Sequence, residues 1–264
     1  MRARLIYNCV AVACLCAPLP AQLLPLCPGS QAAPEVAEGV AASKQGQYGE
    51  ATQHFQAAVA LDPACVNARA YLATAYMQQF IPGGDSPENQ EFADKATAQY
   101  EAVLEQQPEN ELAISAIASL YFNRKKLDEA KIWYEKLTVV NPDNANAFYT
   151  LGVIAWTRSY QPRVEARSKL DMKPEDPGPL RDPEVRQALR TKYLPVVREG
   201  IDNINKALEI APENDDAMAY MNLLYREKAD LEDTAEEYRA DIAKADEWVM
   251  KNLETRKSKA TRKQ

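Results

Sequence analysis

The chain has 264 residues, 46% of them hydrophobic and 26% charged, a balance that excludes both a disordered chain and one embedded in a membrane. Its formal net charge of −7 excludes nucleic acid as the main ligand, because phosphate binding needs positive charge gathered on one face. The charge is uneven: residues 33–250 hold 23 basic and 37 acidic groups, a net of −14, whereas residues 251–264 hold six Lys or Arg against one Glu.

Residues 1–32 differ from everything after them. Arg2 and Arg4 precede the apolar run Leu5 to Leu19, and small residues surround Ser30-Gln31-Ala32. This reads as a signal peptide. Pro18, Pro20 and Pro25 interrupt the stretch before it offers the ~20 helical residues that span a bilayer, so a retained membrane anchor is the alternative and lipid attachment at Cys14 a minor one. Cys9, Cys14, Cys16 and Cys27 lie in this leader. Cys65 is then alone in the body and reads as a small buried apolar residue without chemistry. The expected location is periplasmic or secreted, and membrane-anchored if the leader is retained.

The body, residues 33–250, is punctuated by Leu61-Asp62-Pro63, Gln106-Gln107-Pro108, Val140-Asn141-Pro142 and Ile210-Ala211-Pro212, each following a helix-like segment and preceding a short polar run. The spacings of 45, 34 and 70 residues fit a unit of 34 with two insertions. The first insertion, about 79–91, carries Pro82-Gly83-Gly84-Asp85-Ser86-Pro87-Glu88, a turn followed by a helix start with Pro87 just inside it. The second, about 157–194, holds Pro162, the run from Lys173 to Pro179, and Asp182-Pro183-Glu184 opening a short helix expected to end before Pro195. Residues 251–264 read as a basic, flexible tail.

The pattern resembles the tetratricopeptide repeat (TPR), a pair of antiparallel helices with fixed large and small positions that ends in proline. The third unit carries it best, with Ile114, Ile117, Ala118 and Tyr121 in its first helix and Ala130, Tyr134 and Leu137 in its second. The second unit carries Leu72, Ala73, Tyr76, Ala96 and Tyr100, and the fourth carries Phe148, Leu151 and Gly152. In the first, Glu35 and Glu38 replace apolar residues, and in the fifth Thr234 and Asp241 replace small ones, as expected of capping units. The phrases from Phe80 to Asp85 and from Leu223 to Asp230 also resemble exported repeat proteins of soil bacteria such as acidobacteria. The fold implied is all-α, a right-handed superhelical solenoid of about five helix pairs.

In that family the first helices line a concave groove that holds a partner peptide or helix. The corresponding positions here are Asn67, Thr74 and Met77, then Phe122 and Asn123, then Asn146, Tyr149 and Trp156, and finally Arg226. Phe122, Tyr149 and Trp156 are the expected anchors, since large aromatics supply contact area at low entropic cost, with core packing against the second insertion as the alternative, above all for Trp156. Val36, Ala70, Ser115 and Ala219 stand where a carboxylate clamp needs basic or amide groups, so that mode is excluded. Arg158, Arg163 and Arg167 read as a solvated edge of the second insertion, with an acidic partner as the alternative.

Nothing in the sequence supports catalysis. His54 is the one histidine and reads as an outer-helix residue without a partner, and no Cys or His pair has metal-ligand spacing. Neither a metal nor a cofactor is expected. The functional expectation is a scaffold or adaptor that binds a protein partner in its groove. A self-associating structural component is the alternative, and a small-molecule or glycan-binding protein stands behind it. Weak membrane association through the leader or the basic tail is a further possibility in the sequence.

Overall fold

The computed structural model describes residue 27 and residues 29–173 and 176–262. These residues form ten α-helices and no strand, and they divide into two compact units that meet inside the sixth helix, at Trp133 and Tyr134.

One local device recurs four times and fixes the helix boundaries. After each boundary proline the chain makes a single turn, in which the amides of Cys65, Asn110, Asn144 and Asn214 donate to the carbonyls of Asp62, Gln107, Asn141 and Ala211. The residue two positions after the proline is then the N-cap. Its side chain accepts from the amide of an alanine three residues on: Ala68, Ala113, Ala147 or Ala217. The cap satisfies an otherwise unpaired amide, and each of these alanines is fully buried, so the small side chain lets the new helix approach its neighbour.

The first unit contains α1 (Ala33–Lys44), α2 (Tyr48–Leu61), α3 (Val66–Gln79), α4 (Pro87–Gln106), α5 (Glu111–Asn123) and the start of α6 (Leu127–Val140), with α1 to α5 packed in succession. Gly39 leaves room for the buried Phe55 ring, which stacks on Tyr71 at 5.3 Å. Pro87 occupies the first turn of α4, and Asn89 secures the loop before it, bonding both backbone groups of Ile81 and the carbonyl of Gly84. The structure departs from the sequence expectations at three places in this unit. Cys65 is joined to Cys27 by a disulfide, where it was expected to be a lone apolar residue. Ser30 also donates to Asp62 at 2.6 Å and Ala32 is wholly buried, so these residues pack as part of the folded unit. His54 is paired with Glu35 at 2.8 Å, a partner 19 residues away that sequence proximity does not reveal.

The second unit contains the end of α6, then α7 (Ala145–Lys169), α8 (Pro183–Ile210), α9 (Asp215–Asp230) and α10 (Ala235–Arg262), with α7 to α10 packed in succession and α7 also meeting α9. Close approach of α7 and α8 depends on glycine. A Cβ on Gly152 would lie 2.4 Å from Ile204, and one on Gly200 would lie 2.6 Å from the Ala155 Cβ.

The second insertion is mostly helix rather than loop. α7 continues through Pro162, and α8 runs unbroken from Pro183 through Pro195, correcting the expectation of a short helix ending before Pro195. Each proline forfeits one backbone bond, and burial of flanking residues such as Ala166, Leu194 and Val197 offsets that loss. The described part of the connection, residues 170–173 and 176–182, closes over a small core of Ala166, Met172, Leu180, Leu194 and Leu231. The basic tail is corrected too: α10 extends to Arg262, and Arg256, Lys259 and Arg262 pair with Asp215 and Glu213 beside α9 at 2.9, 2.5 and 2.8 Å. Asn252 is buried and donates to the Asp215 carbonyl.

Candidate protein-binding surface and the insertion brace

The nine expected groove residues divide between the two units. In the first unit Asn67, Thr74 and Met77 stand on α3, and Phe122 and Asn123 on α5, all half-buried. The Thr74 hydroxyl donates to the Ala70 carbonyl and lies 2.9 Å from the buried Tyr100 hydroxyl, and the Asn123 amide donates to Ser119. Burial pushes the Tyr100 hydroxyl up to about 12, with the Thr74 bond opposing it.

In the second unit Asn146, Tyr149 and Trp156 stand on α7 and Arg226 on α9. Asn146 is exposed, whereas Tyr149 is buried. The edge of the Tyr149 ring meets Tyr220 of α9 at 5.6 Å, and Trp156 meets the same Tyr220 at 5.6 Å and Tyr160 at 4.8 Å. These three contacts form an aromatic cluster between α7 and α9. Burial raises the Tyr149 and Tyr220 hydroxyls, with Tyr220 and Asp216 as lesser causes for Tyr149 and Asp216 for Tyr220. Arg226 donates to Asn222 at 3.1 Å and to Asp246 of α10 at 2.7 Å.

The residues that sequence reasoning misplaced lie beside this cluster. Arg163 and Arg167, expected to form a solvated edge, are largely buried and internally paired. Arg163 donates to Glu227 at 2.7 Å and to Asp230 at 2.8 Å, and Arg167 donates to the other Asp230 oxygen at 2.6 Å. Arg167 also donates to the carbonyls of Lys173 and Asp176, and the Leu180 amide donates to the Asp230 carbonyl. The end of α9 thereby grips both the extended part of α7 and the connection that follows it. A second set continues around it: Arg190 of α8 reaches Glu232 and the Leu231 carbonyl, both at 2.8 Å, while Lys228 bridges Glu232 and the buried Asp241 at 2.6 Å each. The insertion is therefore a brace. Burial raises the Glu227 carboxyl to about 7 against the opposing charge of Arg163, and the buried Trp156 N–H lies beside it without a well-formed hydrogen bond.

Among the described residues no group of three or more His, Cys, Asp or Glu is placed to hold a metal ion, and no helix is long and apolar enough to cross a membrane.

Residues 36–89 match one tetratricopeptide repeat model and residues 113–144 match another. Both matches cover segments whose boundary turns and small positions are described above, and they support a tetratricopeptide-type chain. A comparison with curated proteins finds no match. Among solved structures the chain is similar to a MamA protein at 15% identity and a TM-score of 0.58, over 87% of this chain and 94% of that one. It is similar to MamA 41-end from Desulfovibrio magneticus RS-1 at 14% identity and a TM-score of 0.57, over 86% and 96%. A further MamA structure gives 15% identity and a TM-score of 0.57, over 84% and 96%. At such identities the likeness is one of fold. The described residues form an all-helical fold of tetratricopeptide type.

The expectation of a periplasmic or secreted protein is corrected by the same comparison. Chains that share this fold along nearly their whole length include MamA chains, and that likeness stands against an exported assignment. The run Leu5 to Leu19 that prompted the expectation lies outside the described residues. The resemblance to exported acidobacterial proteins has no support in these matches.

Proposed function

We propose that this chain is a structural scaffold that associates with copies of itself. The observation that carries this reading is the outer face of α10. There Val249, Met250 and Leu253 are 37%, 57% and 55% exposed, although they adjoin one another on one helix. Large apolar side chains grouped on a surface favour a protein partner over water. The aromatic positions expected to anchor a partner in the second unit are, by contrast, already engaged: Tyr149 and Trp156 pack on Tyr220.

Sedimentation velocity of the full chain over a wide concentration range tests the reading. The expected result is a mean mass that rises with concentration. A mass equal to one chain, 29.4 kDa, at every concentration overturns it.

A second reading, a foreign protein held against the first unit, is favoured by the half-buried Met77 and Phe122, which leave apolar area in reach of a partner. It requires a heterologous complex that Met77→Ala and Phe122→Ala weaken, and it leaves the mass of the isolated chain unchanged.

A further inference from the structure

We propose that two copies of this chain pair through α10, antiparallel, about a two-fold axis that passes the helix near residue 251. This rests on the self-association reading and names the surface and orientation by which it occurs.

The helix has two faces. Ala245 and Asn252 are buried on the side that packs against α9, and Asp241 is buried beside Lys228. At ~100° per residue, Val249 lies ~40° and Leu253 ~80° round the helix from Ala245, on the exposed border of that side, with the half-buried Ile242 between them in angle and Met250 ~60° beyond Leu253. Positions 242, 246, 249, 253, 256 and 260 repeat with alternating steps of four and three residues, which is the spacing of a seam between two packed helices. The seam spans ~27 Å at 1.5 Å per residue.

The order of side chains along the seam selects the orientation. In an antiparallel pair centred near residue 251, Val249 of each copy faces Leu253 of the other at the middle. Asp246 of each then faces Arg256 of the other on either side, and Ile242 faces Ala260 at the ends. Every layer is matched apolar to apolar or acid to base. A parallel pair instead sets Asp246 against its own copy and Arg256 against its own copy, placing like charges opposite each other. Asp246 and Arg256 keep 63% and 54% of their side chains exposed while bound to Arg226 and Asp215, so each retains a free side for the neighbouring copy. Such rim charges set register and orientation, and the four central apolar residues with the flanking Met250 pair supply the affinity. A single helix pair is a small interface, so the dimer belongs to the weak, concentration-dependent class.

The test uses the full chain with Cys9, Cys14 and Cys16 changed to Ser, leaving the Cys27–Cys65 disulfide intact. Met250→Cys places a thiol on the flank of the seam near the axis, and Lys251→Cys places one ~100° farther round the helix, away from the seam. With a short thiol-to-thiol crosslinker, Met250→Cys is expected to give a covalent dimer on a denaturing gel and Lys251→Cys none. Leu253→Glu, with its fold confirmed by circular dichroism, is expected to lose the dimer in sedimentation. Asp246→Arg is expected to weaken it at least several-fold, and adding Arg256→Asp to restore it. If the parent self-associates but Met250→Cys does not crosslink and Leu253→Glu leaves the mass unchanged, the copies meet elsewhere; the α10 pairing is then wrong and self-association stands. If the parent stays monomeric throughout, the functional reading falls and takes the pairing with it.

Discussion

Replacing Gly152 by Ala isolates the close approach on which the second unit is built. Taken alone, Gly→Ala inside a helix is stabilising by ~1 kcal/mol, because glycine loses more backbone freedom on folding. Here the added Cβ would sit 2.4 Å from both the Cγ1 and Cδ1 of Ile204 and 3.2 Å from the Gly200 carbonyl oxygen. Ile204 is wholly buried, and the Gly200 carbonyl is backbone that cannot rotate out of the way. Overpacking of a tight core costs ~1–3 kcal/mol, and two overlaps of this depth call for the upper half of that range. The net expectation is a loss of ~1–2 kcal/mol, or a fall of ~2–8 °C in melting temperature. Denaturant unfolding followed by far-ultraviolet circular dichroism measures it. The control is Gly49→Ala on the exposed start of α2, where a Cβ meets nothing within 4 Å and a neutral or stabilising effect is expected. Coupling gives a second readout: Ile204→Ala should cost ~2–5 kcal/mol in the parent and at least ~1 kcal/mol less when Gly152→Ala is already present. A Gly152→Ala protein as stable as the parent, with additive Ile204→Ala, would refute the claim that α7 and α8 require glycine at their crossing.

Two further outcomes follow from the brace. Asp230→Ala removes the carboxylate that holds Arg163 and Arg167, leaving the buried Arg167 without its acidic partner. The expected cost is ~3–5 kcal/mol, with faster hydrogen exchange at the Leu180 amide; a cost below ~1 kcal/mol would mean that the apolar cluster alone holds the insertion. The Glu227 carboxyl, raised by burial from 4.5 to about 7, binds its proton more tightly in the folded chain than in the unfolded one. Its contribution to stability is fully present below the unfolded value of 4.5 and is lost as pH rises through about 7. The parent should therefore lose stability relative to Glu227→Gln between those two pH values, and a difference that stays constant with pH would show that Glu227 does not titrate there.

The repeat was legible because its signals are local. A boundary proline, a cap two residues later and an alanine three residues after the cap lie within six residues, and all four copies form the same turn. Gly152 was legible as a small position for the same reason, although the partner that demands it, Ile204, could not be named. The first insertion was read correctly in kind, since Ser86 and Pro87 open α4 as cap and first-turn residue. Pro162 and Pro195 misled because proline is a strong local breaker, and only the packing on either side shows that α7 and α8 continue through them.

Charge was the larger failure, and its cause is separation along the chain. Arg163 meets Glu227 and Asp230 across 64 and 67 residues, and Arg262 meets Glu213 across 49. A run of basic residues has the same local appearance whether it is solvated or matched to a distant acidic helix end. For the aromatic positions the missing information was the neighbour they pack on. Helical periodicity places Tyr149 and Trp156 on one face, yet it says nothing about Tyr220, which arrives from α9 and occupies both. The reverse holds at α10. Ala245, Asn252 and the paired ends of the helix use up its inner face, and the apolar side chains at 249, 250 and 253 stay partly exposed among the described residues. Periodicity that a fold does not consume internally is the physical ground for assigning that surface to a second copy.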